Sequence, residues 1–216
     1  MQLPPDLVIF DCDGVLVDSE PITNLVIRDN LARHGLDLPL NEIIELFVGG
    51  TMMGVMTTSR DMGATLPDGW LDEVYSEIFV ALEEHVSVIP GVPELLDSLD
   101  RAGIPYAVGS NGPHAKMDIT LHRTGLTDRL NGRVVSREDV ARPKPAPDVY
   151  LTAAKLAGVS PARCVVVEDS PSGARAGKAA GMMTLGFVAE ADPARLRPIC
   201  DGVFGNMSDL PALLGL

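Results

Sequence analysis

Short apolar runs recur along this chain, and each is followed by polar residues and then by a segment with helical periodicity. The runs occupy residues 6–10, 104–109, 133–136, 164–167 and 183–186. Strands that alternate with helices form parallel sheets that are covered by helices. We therefore predict an α/β fold in which a parallel sheet lies between helical layers.

One long segment interrupts this alternation. Residues 17–88 contain helical patterns at 21–34, 40–48, 51–62 and 70–85, separated by breaks at Gly49-Gly50 and at 66–69, and show no convincing strand. With 216 residues, the chain is long enough for one core and a modest insertion. We predict a core formed by 1–16 and 89–216, and an inserted helical domain at 17–88.

Charge and composition exclude several classes of function. The net charge of −13 disfavours nucleic acid and anionic membrane surfaces as partners. No secretory leader pattern and no run of membrane-spanning length is present. The three cysteines, Cys12, Cys164 and Cys200, lack metal-type spacing, and the first two are expected to be buried thiols. We expect a cytoplasmic protein that is a monomer, with a dimer as the alternative.

The first apolar run ends in two aspartates, Asp11 and Asp13, followed by Gly14. Side chains two apart on a strand point the same way, so both carboxylates are predicted to emerge together. Two carboxylates this close repel each other unless a cation compensates. The pair suits a nucleophile or metal ligand beside a group that handles protons. The alternative is an acidic turn, because Asp-Gly is a common turn pair.

Three more strand ends carry polar groups. Ser110-Asn111-Gly112 can donate hydrogen bonds to a phosphate, or can form a plain capped turn. Lys144 lies among three prolines in 142–148, either held at a site or solvated in a loop. Glu168 and Asp169 precede a helix start, where acids also act as caps.

The four ends are predicted to meet, because the carboxyl ends of parallel strands share one edge of the sheet. Asp11, Asp13, Glu168 and Asp169 would then face Lys144 as the only fixed cation. A phosphate dianion could not enter such a pocket unaided, and a hard divalent cation, Mg²⁺, resolves the conflict. The residues therefore indicate metal-assisted phosphoryl chemistry with an aspartate nucleophile.

In this order, the four motifs resemble those of the haloacid dehalogenase superfamily of hydrolases. The resemblance spans essentially the whole chain, and implies a Rossmann-like three-layer core with a type-1 helical cap that closes over the active site. It implies that Asp11 attacks phosphorus and that Asp13 moves protons. The further roles it implies are phosphate binding by Ser110, Asn111, Gly112 and Lys144, and Mg²⁺ binding by Asp11, the Asp13 backbone carbonyl, Glu168 and Asp169.

Within the family, the resemblance implies a phosphatase for a small phosphorylated metabolite, either a sugar phosphate or a phosphosugar acid. Segments 10–20 and 108–117 look most like bacterial 6-phosphogluconate phosphatases. Lys116, in the second segment, is either a contact for an anionic substrate or a solvated helix lysine. An acid at Asp13 argues against the family's dehalogenases, which lack one there.

Two alternatives stay open. A β-phosphoglucomutase shares the cap type and all four motifs, but typically has a histidine where this chain has Thr23, and an arginine in a cap segment comparable to 47–53. That segment has no basic residue here. The other alternative is a non-catalytic binding protein on the same fold.

Overall fold

The computed structural model describes residues 4–47, 51–189 and 192–216, so the predicted break at Gly49-Gly50 lies outside the described residues. The chain divides into two compact units. One unit comprises Met1–Asp18 and Val88–Leu216, and the other comprises Ser19–Ser87. The sequence predicted an insertion at 17–88, and its assignment as a cap stays a prediction.

The smaller unit is helical, and its described residues contain no strand. Its helices are α1 (Glu20–Arg33), α2 (Leu40–Phe47), α3 (Met52–Asp61) and α4 (Trp70–His85). Helix α1 packs against α4 around Asn30, whose side-chain oxygen accepts a hydrogen bond from the buried Trp70 indole at 2.6 Å. The Asn30 amide in turn donates to Glu73 at 3.0 Å. A buried polar network of this kind fixes the pairing of the two helices because each group needs its partner.

The larger unit contains a parallel sheet, and six strands are found in its described residues. They are β1 (Leu7–Phe10), β2 (Tyr106–Gly109), β3 (Val134–Val135), β4 (Cys164–Glu168), β5 (Met183–Phe187) and β6 (Gly202–Phe204). Their order is β3-β2-β1-β4-β5-β6, with every neighbouring pair parallel. Successive side chains of β1 point to opposite faces, and all four are fully buried, so both faces of the sheet are covered. The predicted α/β fold is confirmed.

The remaining helices alternate with these strands. They are α5 (Val92–Ala102), α6 (His114–Arg123), α7 (Thr127–Leu130), α8 (Asp148–Leu156), α9 (Pro171–Ala179) and α10 (Leu210–Leu213). Helices α8 and α9 pack on the face of the sheet that contains Ile9 and Val166. None of the helices in the described ranges has both the length and the apolar character needed to cross a bilayer.

The strand order places a crevice next to β1. The chain runs from β1 through β2 to β3 at one edge, then returns to β4 on the other side of β1. Loops leave β1 and β4 in opposite directions at such a reversal, and ligands bind at the carboxyl ends of the strands there. The residues that follow β1, β2 and β4 therefore define the candidate site.

Candidate active site

Three of the four predicted motifs are brought together by the ladder of the sheet itself. The register pairs Phe10 with Val167, and the Asp11 backbone N–H donates to the Val167 carbonyl at 2.9 Å. On the other side of β1, Phe10 pairs with Val108 of β2, two residues before Ser110. Asp11, Ser110 and the end of β4 thus share one edge of the sheet, as the sequence predicted.

Lys144 provides the fourth motif and is almost completely buried. Its Nζ lies 2.9 Å from Asp11 Oδ1 and 2.6 Å from Glu168 Oε1, with only 3% of the side chain exposed. Asn111 holds the backbone on both sides of this lysine: its Oδ1 accepts from the Lys144 N–H at 2.9 Å, and its Nδ2 donates to the Lys144 carbonyl at 3.3 Å. The Asn111 side chain therefore positions Lys144, and a contact with phosphate is left to its backbone N–H.

Glu168 has no exposed surface, and each of its two carboxylate oxygens accepts two hydrogen bonds. Lys144 Nζ and the Tyr150 hydroxyl, at 2.7 Å, donate to Oε1, while the N–H and the hydroxyl of Ser170 donate to Oε2 at 3.0 and 2.9 Å. Four acceptor sites are the full capacity of a carboxylate. There is also no space beside it, because a Cβ on Gly173 would lie 1.6 Å from Oε1.

These contacts shift the pKa values of the two carboxylates that share Lys144 in opposite directions. Burial raises the pKa of Asp11 to about 7, against the lowering effect of Lys144 and with Glu168 and Asp13 adding to the rise. Burial acts the same way on Glu168, but Lys144, Tyr150 and Ser170 outweigh it, so the pKa of Glu168 is lowered. The pKa of Lys144 is raised because the two carboxylates outweigh its burial. Glu168 is thus the carboxylate that stays ionised, whereas Lys144 does not fully offset the cost of burying a negative charge on Asp11.

A metal-type cluster forms where the sequence predicted one. Carboxylate oxygens of Asp11, Glu168 and Asp169 all lie within 4.8 Å of one another. Gly14 makes room for this approach: a Cβ there would lie 2.0 Å from Asp169 Oδ2, and its φ of +72° is one that residues with a side chain rarely adopt. The donor set is all oxygen and acidic, which fits a hard divalent cation.

Asp13 is paired with a cation that the charge count from sequence did not include. Lys116, on α6, places its Nζ 2.8 Å from Asp13 Oδ1. Burial alone would lower the pKa of Lys116, but Asp13 outweighs it and the pKa is raised. With 16% of its side chain exposed, Lys116 is not a solvated helix lysine. The expectation that Lys144 is the only fixed cation is therefore wrong.

The loop after β2 is held in place from both ends. The Ser110 hydroxyl accepts from the Gly112 N–H at 2.9 Å, and the Ser136 hydroxyl donates to the Gly112 carbonyl at 2.7 Å. Ser136 also starts the short 3₁₀ turn at Arg137–Asp139. The loop is thereby tied to the connection that follows β3.

His114 links that turn to the start of α6. Its Nε2 lies 2.8 and 3.0 Å from the two oxygens of Asp139, and its backbone N–H donates to Glu138 at 2.9 Å. The hydrogen bond with Asp139 raises the pKa of His114, and the same bond lowers the pKa of Asp139. Asp118, on the same helix, also favours the protonated histidine.

The stability that this pair contributes depends on pH. The raised pKa of His114 contributes stability that is fully present below the pKa of the unfolded histidine and is lost as pH rises through the folded pKa. The lowered pKa of Asp139 contributes stability that is lost in acid. We expect His114→Gln to lower the thermal midpoint at about pH 5.5 and to have little effect at about pH 9. The cost should stay below about 1 kcal/mol, because both side chains are about two-fifths exposed. His122→Gln, at an exposed position on the same helix, is the control; an equal, pH-independent loss for both variants would contradict the assignment.

One contributor, Tyr150, escapes detection in the sequence. Tyr150 lies on α8, donates to Glu168, and places its ring 4.7 Å beneath Lys144 Nζ. The available signal was a tyrosine on an apolar helix face, since a buried hydroxyl needs a polar partner. Lys116 is among the residues that the sequence singles out, but nothing local in the sequence indicates that its partner is Asp13.

Comparison with known proteins assigns the family. The profile of a hydrolase family, the haloacid dehalogenase-like hydrolases, matches residues 5–181. The chain belongs to this family. It is 35% identical to hexitol phosphatase A of Escherichia coli over 193 residues, covering 88% of this chain and 87% of that protein. It is 32% identical to the 6-phosphogluconate phosphatase of Escherichia coli over 213 residues, covering 96% and 94%.

Solved structures agree with this assignment. A haloacid dehalogenase family hydrolase from Deinococcus radiodurans, crystallised with bound phosphate and sodium, is 36% identical. It superposes with a TM-score of 0.84 over 99% of this chain and 96% of that one. The protein is thus an enzyme of the hydrolase class, and its named phosphatase relatives support phosphatase activity.

Proposed function

We propose that this chain is a Mg²⁺-dependent phosphatase that hydrolyses a small phosphorylated metabolite through a phosphorylated aspartate. One observation carries the proposal: a buried lysine bridges Asp11 and Glu168 at the edge of the sheet, beside a third carboxylate and a loop suited to phosphate. The Lys144 ammonium group offsets the negative charge of Asp11 and Glu168. The loop offers N–H and hydroxyl groups to phosphoryl oxygens.

The carboxylate cluster fits a divalent cation. Asp11 and Asp169 would supply the carboxylate ligands with the Asp13 carbonyl, as the family resemblance implies. Glu168 belongs to the same cluster, but its oxygens already accept four hydrogen bonds, so we assign it to holding Lys144 and to adding negative charge. When bound, the cation would neutralise the excess carboxylate charge and polarise the phosphoryl group.

The residues divide the reaction between them. An oxygen of Asp11 attacks phosphorus while the bond to the alcohol oxygen breaks, and Asp13 gives that oxygen a proton. Water then attacks the aspartyl phosphate and gives a proton to Asp13. This step breaks the bond between phosphorus and the Asp11 oxygen, releases phosphate and restores Asp11. Ser110, the Asn111 N–H and Lys144 bind the phosphoryl oxygens in both steps.

The named relatives support a substrate class. Two of the most similar proteins are a hexitol phosphatase and a 6-phosphogluconate phosphatase, so we propose that the substrate is a sugar phosphate or a phosphosugar acid. The cytoplasmic location and the monomeric or dimeric state stay predictions.

A substrate panel tests this function. We expect phosphate release from at least one of 6-phosphogluconate, hexitol phosphates and hexose phosphates in the presence of Mg²⁺, and its loss with a chelator. Activity that is unaffected by the chelator would contradict the metal assignment. β-Glucose 1-phosphate belongs in the panel, because formation of glucose 6-phosphate with a bisphosphate activator would instead indicate a mutase.

A further inference from the structure

Lys116 occupies a place in the site that the proposed mechanism does not explain. It lies in the first turn of α6, directly after the loop of Ser110–Gly112, and its ammonium group contacts Asp13 Oδ1 at 2.8 Å. The side chains of Lys116 and Asp13 are only 16% and 23% exposed. An ion pair this sheltered is screened far less by solvent and salt than a surface pair.

The other oxygen of Asp13 faces the loop. A Cβ placed on Gly112 would lie 3.6 Å from Asp13 Oδ2 and 3.3 Å from Ser110 Oγ. Oδ2 and the serine hydroxyl therefore border the same small space. Under the proposed function, that space is where the phosphate ester binds.

A cation beside Asp13 offsets the repulsion between its carboxylate and that of Asp11. Asp13 lies two residues from Asp11 and carries the same charge, so repulsion favours rotation of its side chain toward solvent. Lys144 Nζ instead contacts Asp11, Glu168 and the ring of Tyr150. Lys116 Nζ contacts the Asp13 carboxylate directly.

We infer that Lys116 is a positioning residue that anchors Oδ1 of Asp13 and so assigns proton transfer to Oδ2. An ammonium donor can bond to Oδ1 whether the carboxyl group is ionised or neutral, because that oxygen keeps a lone pair in both forms. The proton of the neutral form is then held on Oδ2. This inference rests on the proposed function, in which Asp13 moves protons.

As the bond between phosphorus and the alcohol oxygen breaks, the proton leaves Oδ2 for that oxygen, and Asp13 becomes a carboxylate. In the second half, the attacking water gives a proton back to Oδ2. Lys116 keeps its own protons throughout.

A double-mutant cycle with two kinds of ester tests the inference. Lys116→Met should lower kcat/KM for an alkyl phosphate about 10- to 100-fold, since an unheld proton donor loses most of its effect. The effect on p-nitrophenyl phosphate should be under about threefold, because its leaving group needs little proton donation. In an Asp13→Asn background, Lys116→Met should change neither value further. Lys116→Arg should retain most of the activity.

The matched control is Lys178→Met, which removes an exposed lysine paired with Asp201 at 2.6 Å and should leave both esters unaffected. Equal losses for both esters in Lys116→Met, or losses that add to those of Asp13→Asn, would show a merely structural role and overturn the inference. If Lys116→Met fails to fold by circular dichroism, Lys116→Gln takes its place.

A crystal structure of the Lys116→Met protein separates this inference from the proposed function. We expect the Asp13 carboxylate to leave the position beside Gly112, and an unmoved carboxylate would overturn the inference even in an active phosphatase. If the unsubstituted protein releases no phosphate from any ester, the proposed function fails, while the movement of Asp13 still tests the anchoring.

Discussion

Asp11→Asn is expected to abolish phosphate release while leaving the fold intact. An amide cannot attack phosphorus, and loss of a nucleophile in other enzymes costs roughly 10⁴- to 10⁶-fold in kcat. Asparagine has the same shape, so its oxygen can still accept from Lys144. The measurement is phosphate release from the best substrate of the panel, with Asp118→Asn, at an exposed position on α6, as the matched control. Retention of more than about 1% of the activity would remove Asp11 from the role of nucleophile.

The same variant should be more stable than the original protein when metal is chelated. The folded pKa of Asp11, about 7, lies above its ordinary value of 3.8, so the fold favours the protonated carboxyl group. The free energy of unfolding therefore falls as pH rises from the ordinary pKa of the aspartate through its folded pKa. Asparagine does not ionise, so the variant does not lose this stability. We expect the thermal midpoint of Asp11→Asn to exceed that of the original protein at about pH 8 and to converge with it at about pH 4. A lower midpoint at both values would contradict this assignment.

Opposite effects on activity and stability are typical of residues that serve chemistry at a cost to folding. Asp11 is held beside Asp13 and Glu168 by the strands that precede them, not by a favourable environment of its own. The proposed Mg²⁺ would supply the positive charge that Lys144 alone does not supply.

The sequence predicted the candidate site better than it predicted the contacts within it. Parallel strands place their carboxyl ends together whatever the side chains are, so Asp11, Ser110 and Glu168 could be expected to meet. Which cation faces which carboxylate depends on where helices start and how their side chains reach back. The pairing of Lys116 with Asp13 and the Asn111 clamp on Lys144 have no local signal.

The helical unit shows the same limit. In the sequence, Ile22, Leu25, Val26 and Leu31 form part of an apolar stripe along α1, which predicts that they face the core. In the structure, Leu25 is 39% exposed and Asn30 is fully buried. Asn30 is buried because the Trp70 indole and Glu73, both distant in sequence, satisfy its amide. Hydrophobic periodicity cannot foresee a polar residue whose partners come from another helix.

Lys144→Met is expected to have the largest effect on stability. It removes the cation between two buried carboxylates, and breaking a buried ion pair from one side typically costs about 3–5 kcal/mol. Glu168, with no exposed surface, would keep three donors but lose the charged one. We expect this loss in the free energy of unfolding, measured with urea in the presence of a chelator, together with loss of phosphate release.

The sign of its pH dependence distinguishes this cause from a packing defect. Without Lys144, the folded pKa of Glu168 should rise above its ordinary value, so the variant loses stability as pH increases from about 5 to 8. A defect in packing would cost the same at both values. Adding Glu168→Gln to Lys144→Met should restore part of the stability, because the amide needs no counter-ion, but none of the activity. Lys178→Met should cost less than about 1 kcal/mol, since its ion pair with Asp201 is exposed. If Lys144→Met lowers the free energy of unfolding by no more than Lys178→Met does, Lys144 does not neutralise Asp11 and Glu168. The proposal that it holds these carboxylates in the site would then be wrong.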